Sequence, residues 1–202
     1  MQNSNGYIGM LCPEIQKIIL ENMTLPDLVE FAKTRVENKE GITEHIAKRR
    51  DKLFATFVHD VNAFISVLDR TGTIVSGSSA LTLVQAEAGA IMMGDMDVYA
   101  TEMFEEEVMK YFKDKEGYLS IQDVVRKNQY DSSAISKIHK LMKGDKKIDL
   151  IITDWTSAIA PILQFHSTAV MNYITAQSVV CLYPRWTSSN SRSPHQIYRP
   201  WI

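Results

Sequence analysis

Hydrophobic positions in the first third of the chain recur at helical spacing. Ile15, Ile18 and Ile19 fall three and four residues apart, on one helical face. Thr24, followed by Pro26 and Asp27, predicts the capped start of a second helix, with Leu28, Phe31 and Ala32 on its apolar side. The charged run 44–52 reads as a solvated face or a turn. Phe54, Phe57, Val58, Val61, Phe64, Ile65 and Leu68 then repeat at a sustained helical period, which Asp69, Arg70, Thr71 and Gly72 end. Residues 11–68 are therefore predicted to be helical.

Beyond Gly72 the pattern changes. Thr73, Ile74 and Val75 form a short β-branched run leading into Gly77-Ser78-Ser79. A helix is predicted over Ala80–Ala88, a loop over Gly89–Gly94 and a strand over Met96–Tyr99. An amphipathic helix follows over Glu102–Phe112, with Met103, Val108, Tyr111 and Phe112 as candidate contacts. Leu119–Lys143 reads as mixed strand, loop and helix. Ile148–Ile152 is a buried strand interrupted by one aspartate. Ile162–Ile174 reads as a helix behind Pro161, Val179–Tyr183 as a last strand and Thr187–Pro194 as an exposed loop. Strands that alternate with helices predict an α+β fold, a mixed sheet flanked by helices behind an N-terminal helical segment. The expected division is 1–63 and 64–202.

Composition narrows the classes. The 202 residues are 45% hydrophobic and 23% charged, which excludes wholesale disorder. A formal net charge of −2 makes nucleic acid the least favoured partner, leaving only a local basic patch to contact it. Cys12 and Cys181 are the only cysteines, too few for a disulfide framework, so an intracellular protein, cytoplasmic or nuclear, is expected. No basic-then-apolar leader opens the chain. Residues 155–184 lack Asp, Glu, Lys and Arg. They nevertheless contain Pro161, Gln164, His166, Asn172 and Gln177, whereas a span wants ~20 predominantly apolar residues, so no membrane is expected.

Charge is also uneven. Residues 71–100 carry three acids, Glu87, Asp95 and Asp97, and no Lys or Arg. A glycine after a strand allows a tight turn, and the following helix start offers free N–H groups to a phosphate, so Gly77, Ser78 and Ser79 are candidate nucleotide-binding residues. Asp95 and Asp97, two apart on a strand, share a face. Two carboxylates that close repel unless a cation lies between them, and hard oxygen donors suit Mg²⁺ or Mn²⁺. Asp149 inside an apolar run is costly to bury unless it is paired or metal-bound. Lys137, Lys140 and Lys143 recur every third residue, with Lys146 and Lys147 behind them. On a helix they would form a basic stripe able to approach phosphates, or simply a solvated face. His166 reads as a helix histidine satisfied by a neighbour.

The ordered set Gly77-Ser78, Asp95/Asp97 and Asp149 resembles the nucleotidyltransferase fold of the polymerase-β type, over about residues 64–184. Sixteen residues separate Ser78 from Asp95, somewhat more than the compact family pattern. Phe165–Tyr173 is similar to a group of uncharacterised fungal proteins with this domain. The resemblance implies metal-dependent transfer of a nucleoside monophosphate from a nucleoside triphosphate to a hydroxyl or phosphate acceptor. Asp95, Asp97 and Asp149 would be both catalytic residues and metal ligands. Separately, Leu11-Cys12-Pro13-Glu14-Ile15 through Leu28 resembles the start of an F-box, which implies docking to a ubiquitin-ligase adaptor through Leu11–Phe31. The alternative is therefore a catalytically degenerate adaptor that docks through these helices.

Overall fold

A computed structural model describes residues 11–87, 94–125 and 133–187. Four helices come first: α1 (Pro13–Glu21), α2 (Leu25–Ala32), α3 (Val36–Ala55) and α4 (Val61–Thr71). Thr24 caps α2 as expected: its hydroxyl accepts from the Asp27 N–H while the Asp27 carboxylate accepts from the Thr24 N–H. The run 44–52 lies within α3. The apolar period from Phe54 to Leu68 does not make one helix. It breaks between α3 and α4, where Asp60 caps α4 by accepting from the Ala63 N–H. A buried carboxylate, Glu116, fills the break and accepts from the N–H groups of His59 (2.7 Å) and Asp60 (3.3 Å).

The rest is built on seven strands: β1 (Ile74–Ser76), β2 (Met96–Thr101), β3 (Leu119–Val125), β4 (Lys137–Lys143), β5 (Lys146–Thr153), β6 (Asn172–Ile174) and β7 (Val179–Cys181). They form one sheet in the order β3-β4-β5-β2-β1-β6-β7. Only β2 and β5 pair in parallel. A parallel pair needs a long crossover, and here residues 102–145 supply it. The fold is α+β: N-terminal helices followed by a mixed sheet with flanking helices.

Pleating divides the sheet residues between two cores. Val75, Met96, Val98, Ala100, Ile148, Leu150 and Ile152 pack on α3, α4 and the crossover helix α6 (Glu105–Lys110). Phe54 meets Phe64 edge-on at 5.0 Å, Phe64 stacks on Tyr111 at 5.8 Å, and the Tyr118 hydroxyl donates to the Phe57 carbonyl. Burial of such rings contributes roughly 1.5–3 kcal/mol each. On the opposite face Ile74, Tyr99, Ile151, Ala158 and Ile162 form a smaller cluster against the short α7 (Ala160–Leu163).

Several expectations are corrected. The helix placed over Glu102–Phe112 is a 3-10 turn (Glu102–Phe104), then α6, then a π-turn (Tyr111–Lys115). Val108, Tyr111 and Phe112 are buried, but Met103 is 83% exposed, because the 3-10 turn rotates it off the core-facing side. Ile162–Ile174 is not one helix. α7 stops at Leu163, and the chain reaches β6 through a 3-10 turn (Thr168–Val170). Asn172 explains the change: it is fully buried at a strand position and its side-chain amide donates to the Ala169 carbonyl. His166 is exposed between these turns. The helix expected from Ala80 begins earlier, as α5 (Gly77–Val84). Gly89–Gly94 lies outside the described residues except for Gly94. Of Thr187–Pro194 only Thr187 is described, closing a short α8 (Pro184–Thr187). Among the described residues no helix is long and apolar enough to cross a membrane.

Candidate functional site

Ser76, at the end of β1, pairs with Asp97 of β2, and Asp97 pairs with Asp149 of β5. Directly opposed residues on neighbouring strands project from the same face, about 5 Å apart. Asp97 and Asp149 are therefore side by side although they are distant in sequence. Asp95 precedes β2 by one residue and shares the parity of Asp97. Its backbone carbonyl accepts from the Ser79 hydroxyl at 3.3 Å. All three acids lie on the sheet face that carries Tyr99 and Ile151, opposite the larger core.

Gly77 begins α5 at φ +64, a left-handed conformation that favours glycine. Space demands glycine as well: a β-carbon at Gly77 would lie 1.9 Å from the Asp97 Oδ2 and 2.9 Å from its Cγ. The Asp97 carboxylate rests on the bare Cα of Gly77, at the start of α5. The Ser78 Oγ is buried there with no hydrogen-bond partner among the described residues. A buried hydroxyl left unbonded needs an explanation, and a bound group is one. The Ser76 hydroxyl, by contrast, donates to the Asn172 carbonyl at 2.6 Å.

Electrostatics follow from this arrangement. Burial pushes the Asp97 carboxyl up to about 7, and Asp95 and Asp149 push it in the same direction. Asp149 is also raised, mainly by burial. Lys140 pulls it back, Asp95 pushes it up and Lys147 opposes that push. Burial, then Asp97 and Asp149, drive the Tyr99 phenol above its ordinary value. The donor set consists of hard carboxylate oxygens, the chemistry that suits Mg²⁺ or Mn²⁺. Among the described residues no three His, Cys, Asp or Glu side chains are gathered closely enough to hold an ion as they stand.

The sequence singled out Gly77, Ser78, Ser79, Asp95, Asp97 and Asp149, and the fold places them on or beside the three central strands, β1, β2 and β5, and the start of α5. It set Lys140 and Lys147 within a helical basic stripe. The expected helical stripe is a β-hairpin, β4–β5, turned at Gly144 (φ +61). Pleating splits the lysines between faces. Lys137 pairs with Glu105 at 2.7 Å, and Lys143 lies 5.9 Å from the centre of the Tyr118 ring, both on the side of the larger core. Lys140 stands opposite Asp149 on the acid-bearing face. Lys147, two residues before Asp149, shares that face. Nothing local marks the strand: Ile138, Leu141 and Met142 fall at helical spacing, and it is the pairing with β5 that sets the faces. No protein-family model, curated protein or solved structure matches this chain.

Proposed function

We propose that the protein transfers a nucleoside monophosphate from a nucleoside triphosphate to a hydroxyl or phosphate acceptor, forming a bond from the acceptor oxygen to the α-phosphorus as the α–β anhydride breaks and pyrophosphate leaves. The observation that carries this reading is the register of Asp97 with Asp149 beside the bare Cα of Gly77. The N–H groups of Gly77, Ser78 and Ser79, together with the unbonded Ser78 Oγ, are suited to the triphosphate, because a helix start favours negative charge. Asp95, Asp97 and Asp149 would hold Mg²⁺ or Mn²⁺. When bound, the cation would neutralise charge on the transferring phosphate and acidify the attacking hydroxyl. The Asp97 carboxyl, raised first by burial and further by Asp95 and Asp149, supports this role, since a bound cation would offset both effects. Asp149 lies farther from α5 than Asp97 does, on the side from which an in-line acceptor would approach, where its carboxylate can take the hydroxyl proton. Chemistry of this kind depends mainly on positioning and charge neutralisation.

The test is equilibrium binding of a nucleoside triphosphate with and without Mg²⁺ or Mn²⁺, in the wild type and in Asp95→Ala/Asp97→Ala. Metal-dependent binding lost in the double variant is expected. Equal binding by both proteins would sink the metal site.

A second reading has its own support. α1 has no buried residue, and Leu11, Ile15 and Ile18 are exposed along it. That face is apolar enough to dock a partner such as a ubiquitin-ligase adaptor, with the sheet domain as a degenerate recognition module. Capture of that adaptor by the wild type, abolished by Leu11→Asp/Ile15→Asp, is the expected result on this reading. Capture unchanged by the two substitutions argues against it.

A further inference from the structure

Lys140, Asp149, Asp97 and Ser76 form one lateral row across β4, β5, β2 and β1. α5 leaves β1 at the Ser76 end of this row, so the residues suited to a triphosphate lie at that end. Lys140 occupies the other end, beyond Asp149. Lys147 flanks Asp149 on the same strand and face. Neighbouring strands are about 4.8 Å apart, so Lys140 is two strand spacings from Asp97 and farther still from α5.

The remaining lysines of the hairpin have other positions. Lys137 is tied to Glu105, Lys143 lies over Tyr118, and Lys146 has the parity of the opposite face. Among the lysines of the hairpin, Lys140 faces Asp149 across the β4–β5 pairing and Lys147 flanks it on the same face. Two ammonium groups beside the distal carboxylate can favour an anion on that side only. An in-line displacement places donor and acceptor on opposite sides of the reacting phosphorus. The geometry points to Lys140 and Lys147 as the residues that select the acceptor, and to an acceptor that carries a phosphate ester next to its attacking group. A neutral sugar or an amino-acid hydroxyl offers these two ammonium groups no anion beyond Asp149 itself, whereas a phosphate ester does. This inference rests on the transferase reading and goes further by naming the acceptor class.

The phosphate ester could belong to a small phosphorylated molecule or to the end of a polynucleotide, and the experiment separates them. The full chain is saturated with Mg²⁺ and a non-hydrolysable nucleoside triphosphate. Binding of ribose 5-phosphate, ribose and a short oligoribonucleotide is then measured for the wild type, Lys140→Met and Lys140→Arg. The expected result is that a phosphate-bearing probe binds and ribose does not. Lys140→Met should weaken that probe about tenfold, as expected for loss of one charge-assisted hydrogen bond. Lys140→Arg should restore most of the affinity, and triphosphate binding should stay within about twofold throughout. If the oligonucleotide is the better probe, Lys140→Met should also lower its salt slope by about one. Unchanged phosphate binding in Lys140→Met overturns the inference, as does equal binding of ribose and ribose 5-phosphate or failure of both phosphate probes to bind. Equal loss of triphosphate binding in Lys140→Met would overturn it too, by assigning the lysine to the donor. Absence of metal-dependent triphosphate binding in the wild type removes the transferase reading first, and the acceptor assignment with it.

Discussion

Asp97 and Glu116 are both carboxylates withdrawn from water, yet their surroundings are opposite. Glu116 is 3% exposed and accepts three hydrogen bonds, from the N–H groups of His59 and Asp60 and from the Tyr111 hydroxyl. Asp97 faces Asp149 and Asp95, and burial and both neighbours push its carboxyl in one direction, to about 7. The first arrangement ties the break between α3 and α4 to the crossover and answers the charge with donors. The second gathers three carboxylates on neighbouring positions, with Lys140 and Lys147 facing the most distal of them. Buried acids therefore serve as structural ties where donors converge on them, and mark functional sites where they converge on each other.

The largest expected effect tests the structural member of this pair. Glu116→Ala strips two N–H groups of their acceptor and leaves the buried Tyr111 hydroxyl with only the Asp60 carbonyl at 3.3 Å, and should lower stability by about 3 kcal/mol. The loss should show as a lower urea midpoint, with metal-dependent triphosphate binding by the folded fraction unchanged. A much smaller loss would mean that the three donors find other partners. Gly77→Ala comes next, because a left-handed alanine costs ~1–2 kcal/mol before Asp97 is displaced. A total near 3 kcal/mol is expected, together with loss of triphosphate binding. Retained binding would show that Asp97 can leave Gly77 without consequence.

Asp97→Asn should reverse the sign. The folded carboxyl of Asp97 is pushed up to about 7, above the 3.8 of a free aspartate side chain. Between those values the folded protein holds a proton that the unfolded chain has released. The stability contributed by protonated Asp97 is therefore complete below about 4 and lost as pH rises through about 7. At pH 8, without divalent cation, Asp97→Asn should be more stable than the wild type by ~1–3 kcal/mol, and the gap should close towards pH 4. Thermal unfolding at both pH values measures it; a variant less stable than the wild type at pH 8 would break the contrast with Glu116. The smallest effect is expected for Ser78→Ala. The Ser78 Oγ bonds to nothing among the described residues, so stability should change by less than ~0.5 kcal/mol while triphosphate binding weakens. A clear loss of stability would show that the hydroxyl is structural.

The two carboxylates also differed in how readily the sequence disclosed them. Asp97 stands in a stretch without Lys or Arg, two residues from another acid and just beyond a Gly-Ser turn, so local text was enough. Glu116 sits in the charged run Lys113-Asp114-Lys115-Glu116, which reads as surface. Its burial depends on a helix break 57 residues upstream, which no local pattern encodes. Lys140 was read as part of a helical stripe because lysines three apart suggest a helix, whereas the strand period puts Lys137 and Lys143 on one face and Lys140 on the other. The fold class was legible because alternating helical and strand-like runs hold over most of the chain. The segment from Ile162 to Ile174 misled because its apolar residues serve a short helix and then a strand. Nothing in their spacing marks the change, only the buried Asn172.

The single parallel pairing, β2 with β5, has a kinetic consequence. All of residues 102–145 must be looped out before Asp97 can meet Asp149, so this contact carries a high loop-closure cost and is expected to form after the local helices and hairpins. Repulsion between the two acids opposes the same step. A cation that binds both carboxylates would then favour strand closure as well as catalysis, and the rate of refolding would depend on its concentration. The acids proposed to hold that cation would also make the centre of the sheet the last part to settle.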